Sequence, residues 1–491
     1  MRNKRIVRGA ARTVIAPLTD FADGIIYAGD EKALPLRAGL DCYDVATAGG
    51  ALKDGPGLHR ELAASLNMTD DSIDQWLPVN VEAVWLYKRY DPVMARRDDR
   101  LVIWAEKQIF YIPLQNGVKL VTLFPGSSFL SKPSGTNYRL NGKDVFILCS
   151  ETDTMTVIDG SSYTLAPGAP FMSSMAIHYE RLYATVSGEK SAVWFSDELD
   201  PTNWNVTLTG AGFIEMLDDR GALKKVVSFL DSLYIFRTNG ISRMAAYGDQ
   251  TQFSVSHLFT AGGRIAADSV VLCGDRILFL SSEGLCEFDG ASVRKALPKV
   301  SERFVVSETD CGGYFEGKYY FSTRFKFYTA PVQGTIMRAE SVEPVLAEYD
   351  LRTGGIRLMR GILAKAIAGV TSENVHALLI AHADALAVFD QTGIYKIWQA
   401  PAARTKYWAS PLSDLGYPGK NKRVVEFYVR TDTDITVILM TDKTSRNHAV
   451  SGKNTVQTVR TNISGRLISV GVLSTEAGTN VGNISAKITV Y

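Results

Sequence analysis

Asp275-Arg276-Ile277-Leu278-Phe279-Leu280 is a polar turn running straight into an apolar strand, and the same phrase returns along the chain. It stands at Asp99-Arg100-Leu101-Val102, Lys143-Asp144-Val145-Phe146, Glu180-Arg181-Leu182-Tyr183, Asp231-Ser232-Leu233-Tyr234 and Gly317-Lys318-Tyr319-Tyr320, and more faintly around Leu378. The third residues, from 101 through 145, 182, 233, 277 and 319, are 44, 37, 51, 44 and 42 apart. A four-stranded antiparallel unit with its turns needs about 40–50 residues, the period of a β-propeller blade. The spacing therefore predicts a mainly β chain built on a propeller of six or seven blades.

A second signal travels with the first. About a dozen residues after several anchors comes an apolar residue, then Asp, then often a glycine turn. The instances are Ile158-Asp159-Gly160, Phe288-Asp289-Gly290, Tyr349-Asp350-Leu351-Arg352-Thr353-Gly354 and Phe389-Asp390-Gln391-Thr392-Gly393. Asp supplies a local hydrogen bond and Gly a positive φ, so these aspartates read as turn formers rather than acids awaiting a substrate. Asp350 lies 31 beyond Tyr319, which predicts an inserted loop of about 20 residues near 324–345. An open last blade would leave an unpaired edge, so closure by a strand from the N-terminal side is expected.

Around the repeat the character changes. Residues 1–78 carry Arg2, Lys4, Arg5, Arg8 and Arg12 in the first twelve positions, then a Gly/Pro-punctuated stretch ending at Gly55-Pro56-Gly57. Short helices are expected over Leu58–Leu66 and from Thr69-Asp70-Asp71 towards Trp76. The segment reads as an arm with little core of its own, its five basic residues the candidate interaction site. Residues 79–408 hold the repeat. Residues 410–423 are rich in Pro, Gly, Lys and Asn, as a linker would be. Beyond them the strand-like runs Val424–Val429, Ile435–Met440, Arg466–Val470 and Ile484–Tyr491 predict a small β-sandwich or barrel over 409–491.

Composition excludes several classes. Fifty-three basic against 52 acidic residues leave a net charge of +1, unlike a general polyanion binder. The five cysteines, 42, 149, 273, 286 and 311, form no C-x-x-C pair and read as reduced, buried thiols. The basic start is followed by a stretch broken at Pro17, unlike a secretory signal, and no run is apolar enough for a transmembrane helix. The Asn-x-Ser/Thr sequons at Asn67, Asn205, Asn462 and Asn483 are then without consequence. No phosphate loop, nucleophile elbow or zinc-binding H-E-x-x-H helix is present, and Gly416–Lys420 lacks the spacing of the first. His376 and His382, six apart, could share one strand face, but no third ligand is near and ordinary strand histidines are the simpler reading. No metal, cofactor or catalytic residue is expected.

Trp194-Phe195-Ser196-Asp197-Glu198-Leu199-Asp200-Pro201-Thr202-Asn203-Trp204 can be set against two patterns. Against the Asp-box turn of sialidases, Glu198 stands where the Asp should be, Asp200 replaces the Gly, and the Trp comes one residue late. The phrase also occurs once, and an Asp box is structural in any case. The apolar strand, Ser, short polar stretch, Asp-Pro and Trp instead resemble the β-propeller tail-nozzle proteins of short-tailed bacteriophages, also called packaged-DNA stabilisation or head-completion proteins. The strand-turn-strand Val226–Gly240 and the glycine-punctuated Gly39-Leu40, Gly49-Gly50-Ala51-Leu52 and Gly55-Pro56-Gly57 are similar to theirs too.

The resemblance implies a structural, non-enzymatic virion protein assembled in the host cytoplasm, with no cofactor. It implies a homomeric ring, usually six-fold, below the portal and adaptor rings, beside tail fibres or spikes. Such a ring makes transient contact with double-stranded DNA, which it retains and later conducts at ejection, and it has no stable membrane insertion. A near-neutral chain suits a channel that must release DNA, because each phosphate contact would add drag. The alternative reading is a glycan- or receptor-binding propeller using loop aromatics, and a further one is a sialidase-like glycoside hydrolase.

Overall fold

The computed structural model describes residues 11–21, 39–59, 80–114, 122–260, 263–373, 375–383, 385–390 and 405–491. Among them the chain is almost all strand, arranged in many small antiparallel sheets, with only short 3-10 turns at Gln250–Gln252, Ala267–Ser269 and Pro298–Arg303. It forms two compact units: Leu58–Arg324 with Ile362–Phe389, and Met1–Gly57 with Phe325–Gly361 and Asp390–Tyr491.

In the first of these units every anchor phrase opens the second strand of a sheet. The second sheet is typical, with Ser134–Leu140, Lys143–Cys149, Met155–Asp159 and Ser162–Ala166 paired in chain order. Sheets led by Val81–Tyr87, Met172–His178, Leu223–Phe229 and Val271–Cys273 repeat the plan. The second strands are the most buried because both their edges and both their faces are covered. Ile277, Leu278, Phe279 and Leu280 are all completely inaccessible, so this strand reads as a continuous apolar run rather than an alternating one.

Successive sheets share their cores. Leu148, Phe146 and Ile158 of the second sheet pack against Val102, Trp104 and Tyr111 of the first. Val145, Ile147 and Met155 on its other face meet Met175, Leu182 and Ala184 of the third. Third meets fourth around Tyr183, Phe195, Leu233 and Ile235, and fourth meets fifth around Phe236, Ile241, Ile277 and Phe279. The seventh sheet, Ala364–Thr371, His376–His382 and Ala385–Asp390, takes Gly57–His59 as its fourth strand. Its Leu379, Ala381 and Leu386 then pack on Leu101, Ile103 and Ile112 of the first. The last of these sheets therefore takes its outer strand from the N-terminal side. That strand also corrects the helix expected from Leu58, since Leu58 and His59 are strand residues; the rest of that helix and the one near Trp76 lie outside the described residues.

The sixth sheet departs from the plan. Of the inserted loop expected at 324–345, half is the ends of two 11-residue strands, Lys318–Tyr328 and Glu340–Asp350, and the loop proper is confined to 329–339. The boundary between the compact units falls inside the first of them, after Arg324.

The other unit is built from three separated stretches, so the division into 1–78, 79–408 and 409–491 gives way. One sheet has the order Arg12–Thr19, Ile484–Val490, Lys422–Arg430, Val456–Gly465. Another has the order Asp41–Tyr43, Lys406–Ala409, Ile468–Ser474, Ile435–Thr441, Ser445–Val450. Ile484, Ala486 and Ile488 are buried while Ser485, Lys487 and Thr489 between them are not, the alternation of a sheet with one face on a core. The N-terminal segment is no coreless arm: Leu18, Phe21, Cys42, Val45 and Leu52 are all buried. Two buried aspartates and the half-buried Asp54 tie it down, each meeting a cation from elsewhere in this unit. Asp41 pairs with Arg338, Asp44 with Arg360 at 3.4 Å, and Asp54 with the buried Lys406 at 2.7 Å. Nor is 410–423 a free linker, because the Lys422 ammonium donates to the carbonyls of Tyr417, Lys420 and Arg466 and folds that stretch onto the sheet.

Candidate functional site

The first strands of the sheets converge on a cavity of about 660 Å³ that receives residues from every one of the seven. Val84, Ser134, Ser174, Lys225, Asp268, Cys311 and Ala366 each represent one sheet or the turn leading into it. Neighbouring first strands are tied directly: Ser174 Oγ accepts the Val226 N–H at 3.2 Å, and Cys311 Sγ donates to the Ala364 carbonyl at 3.3 Å.

Charge is concentrated on this lining. Lys132 Nζ pairs with Asp268 Oδ2 at 2.7 Å and reaches the Lys365 carbonyl at 3.4 Å. Lys224 lies 3.9 Å from Glu308, which Arg264 also holds at 3.1 Å. The ammonium groups of Lys225 and Lys365 have no hydrogen-bond or ion-pair partner among the described residues. Lys225 and Lys365 are half-buried, whereas Lys132 and Asp268 are more exposed on the lining. Burial pulls the Lys225 pKa below that of an ordinary lysine, because Asp268 acts on it only at longer range and Lys132 repels it. Burial also opposes charge on Lys132, but the adjacent Asp268 carboxylate outweighs it and holds that pKa above the usual value. Burial alone would raise the Asp268 carboxyl, and the ammonium groups of Lys132 and Lys225 bring it below the ordinary range instead. Burial pushes the Cys311 thiol up to about 12, so it is an inert thiol here.

The candidates read from sequence are dispersed. Arg12 is exposed on a strand opposite Val490, while Arg2, Lys4, Arg5 and Arg8 lie outside the described residues. His376 Nε2 donates to the Glu316 carboxylate and its Nδ1 shares a hydrogen bond with the Thr371 hydroxyl, and His382 donates to the Leu363 carbonyl. Among the described residues no three metal-ligating side chains gather. All five cysteines are buried. Around Trp194–Trp204 the polar residues hold a turn: Asp197 accepts from the backbone N–H of Glu198 and Gly210, and Asp200 from Thr202. Trp204 is buried with its indole N–H on the Pro201 carbonyl, whereas Trp194 stacks on Phe213 at 5.1 Å.

The cavity lysines escaped the reading of the sequence because its anchors mark second strands, and the cavity is lined by first strands. Lys132-Pro133, Lys224-Lys225 and Lys365 do recur just before or at the start of first strands, which is the signal that could have exposed them.

Among the described residues no helix is long and apolar enough to cross a membrane. No family model and no curated protein matches the chain. Among solved structures, the computationally designed Ika8 protein is similar over 64% of this chain and 97% of its own, at 7% identity and TM-score 0.38. The extracellular domain of a hybrid two-component system from B. thetaiotaomicron is similar at 9% identity and TM-score 0.39, covering 76% of this chain. A second structure of that extracellular domain, titled as part of a one-component system, gives 9% identity, TM-score 0.41 and 78% coverage. This chain spans a little under half of those two, 45% and 46%.

Proposed function

We propose that this chain is a structural virion protein: a seven-bladed β-propeller carrying a β-sandwich, acting as the tail nozzle of a short-tailed bacteriophage. In this reading copies assemble into a homohexameric ring below the portal and adaptor proteins, which retains packaged DNA and conducts it at ejection. The observation that carries the reading is the run of seven serial sheets whose last is completed by Gly57–His59. That arrangement is a rigid scaffold with each blade covering its neighbour, in the same chain as the nozzle-like phrase 194–204. The DNA path lies between copies, because the interior cavity is closely walled by seven first strands. The basic residues from Arg2 to Arg12 dock on a neighbouring subunit or the adaptor ring.

Six copies of 53.8 kDa make a ring of about 323 kDa. Native mass spectrometry of the full chain mixed with its adaptor platform, together with negative-stain imaging of the particle, is expected to show it. Monomer on a platform that carries its other tail proteins would sink the proposal. One observation favours a second reading, a glycan- or receptor-binding propeller. Exposed Tyr179 and Tyr247 meet edge to face at 5.1 Å, and Tyr179 lines a groove of about 790 Å³ with Arg139, Asn141 and Glu180. A monomer that binds on a glycan array, and loses that binding on Tyr179→Ala, would establish it instead.

A further inference from the structure

The interior cavity has a chemistry that neither reading uses. Its walls carry five lysines, and three of them, Lys132, Lys225 and Lys365, come from three different sheets or their entry turns. Of these three, only Lys132 has a carboxylate within pairing distance, Asp268 at 2.7 Å. Lys225 is half-buried without a carboxylate in pairing distance, and the longer-range pull of Asp268 is set against the repulsion of Lys132. A half-buried cation in that position is stabilised by an anion that reaches it. The alternative to an anion is loss of the Lys225 proton, and burial already tilts it that way. Hydroxyl-bearing Ser131, Ser134 and Ser187 stand on the same lining and can donate to an oxyanion. A volume of about 660 Å³ is in the usual range for a metabolite-sized ligand.

We propose that this cavity is a binding site for a small oxyanion, with Lys225 and Lys365 as the principal ligands and the Lys132–Asp268 pair setting its orientation. The shared chemistry is a phosphate- or carboxylate-bearing small molecule. Asp268, Glu308 and Glu189 limit the charge the site accepts and disfavour a large polyanion. The site stands whether or not the chain forms a nozzle ring.

The test is titration of the full chain with inorganic phosphate and, separately, with citrate, by calorimetry at constant ionic strength against a chloride control. Saturable millimolar or tighter binding is expected for at least one, which also distinguishes the two sources of the oxyanion. Lys225→Met should weaken it by about tenfold or more, as expected on losing a charge-assisted contact, and Lys143→Met, exposed and outside the cavity, should leave it nearly unchanged. Should Lys225→Met fail to fold, the unmutated chain still decides. The anion should slow acetylation of Lys225 and Lys365, read peptide by peptide, while exposed Lys143 reacts as before. No saturable binding of either anion, or acetylation of Lys225 that is indifferent to both, overturns the proposal.

Discussion

Arg237 is only 1% exposed, yet it carries a permanent charge. It is tolerated because Asp218 sits 2.5 Å away and the carbonyl of Gly221 accepts from both its Nε and Nη2. Burial pushes the Asp218 carboxyl up, but the Arg220 N–H and the Arg237 guanidinium outweigh it and hold the pKa below the ordinary range. A depressed carboxylate pKa gives stability that is fully present above the unfolded-state value. That stability is lost as pH falls through the folded one. Asp218→Asn should therefore cost about 3 kcal/mol at neutral pH, the low end for breaking a buried pair because Asp218 is partly solvated. The gap between variant and parent melting curves should narrow as pH drops below the usual aspartate range. A gap independent of pH from neutral to strongly acidic would show that the ionised carboxylate is not what stabilises Arg237. None of this could be read from sequence: Asp218 and Arg237 are 19 apart, and nothing in either neighbourhood marks them as partners.

The turn residues, by contrast, were legible, and the turns show what local chemistry decides. Asp289 accepts the N–H groups of Ala291 and Ser292, Asp350 those of Arg352 and Thr353, and Gly160, Gly290 and Gly354 all have positive φ. The hairpins between first and second strands make the same demand less obediently. Asn141 and Gly274 suit a left-handed φ, but Tyr179 and Leu230 hold the corresponding places in the third and fourth sheets with φ near 50°. Such residues carry roughly 1–2 kcal/mol of backbone strain in that region. Leu230 is 67% exposed, so little packing compensates it. Leu230→Asn should raise stability by up to about 1 kcal/mol in urea denaturation. Gly290→Ala should do the reverse, since its φ is +96° and a Cβ there would come within 3.1 Å of Leu230 Cδ1. A loss of stability in the first, or none in the second, would count against a turn-controlled register.

At the scale of the whole molecule, the cut points matter most. A fragment of residues 79–408 contains every anchor phrase, yet it lacks Gly57–His59, whose Leu58 is completely buried. The Lys406–Ala409 strand is cut after Trp408 and also loses both partners, Asp41–Tyr43 and Ile468–Ser474. The fragment should be recovered largely aggregated, with an unpaired edge on its last sheet, whereas the full chain should be soluble under the same conditions. A soluble fragment with the cooperative melting of the full chain would show that the closing strand is dispensable.

By itself, the sequence determined the period, the strand class, the turn positions and the apolar character of the second strands. Each of these is written within a few residues: a polar turn, an alternating or continuous apolar run, an Asp that bonds its own loop. Only the tertiary structure decided which distant segments complete a sheet, that the N-terminal segment is core rather than arm, and that half of the insertion at 324–345 extends two long strands. It alone brought Lys132, Lys225, Lys365 and Asp268 around one cavity. The physical reason is the same in each case. Strand pairing and ion pairing satisfy backbone and charge wherever a partner can be reached in space, and neither leaves a mark on the intervening sequence.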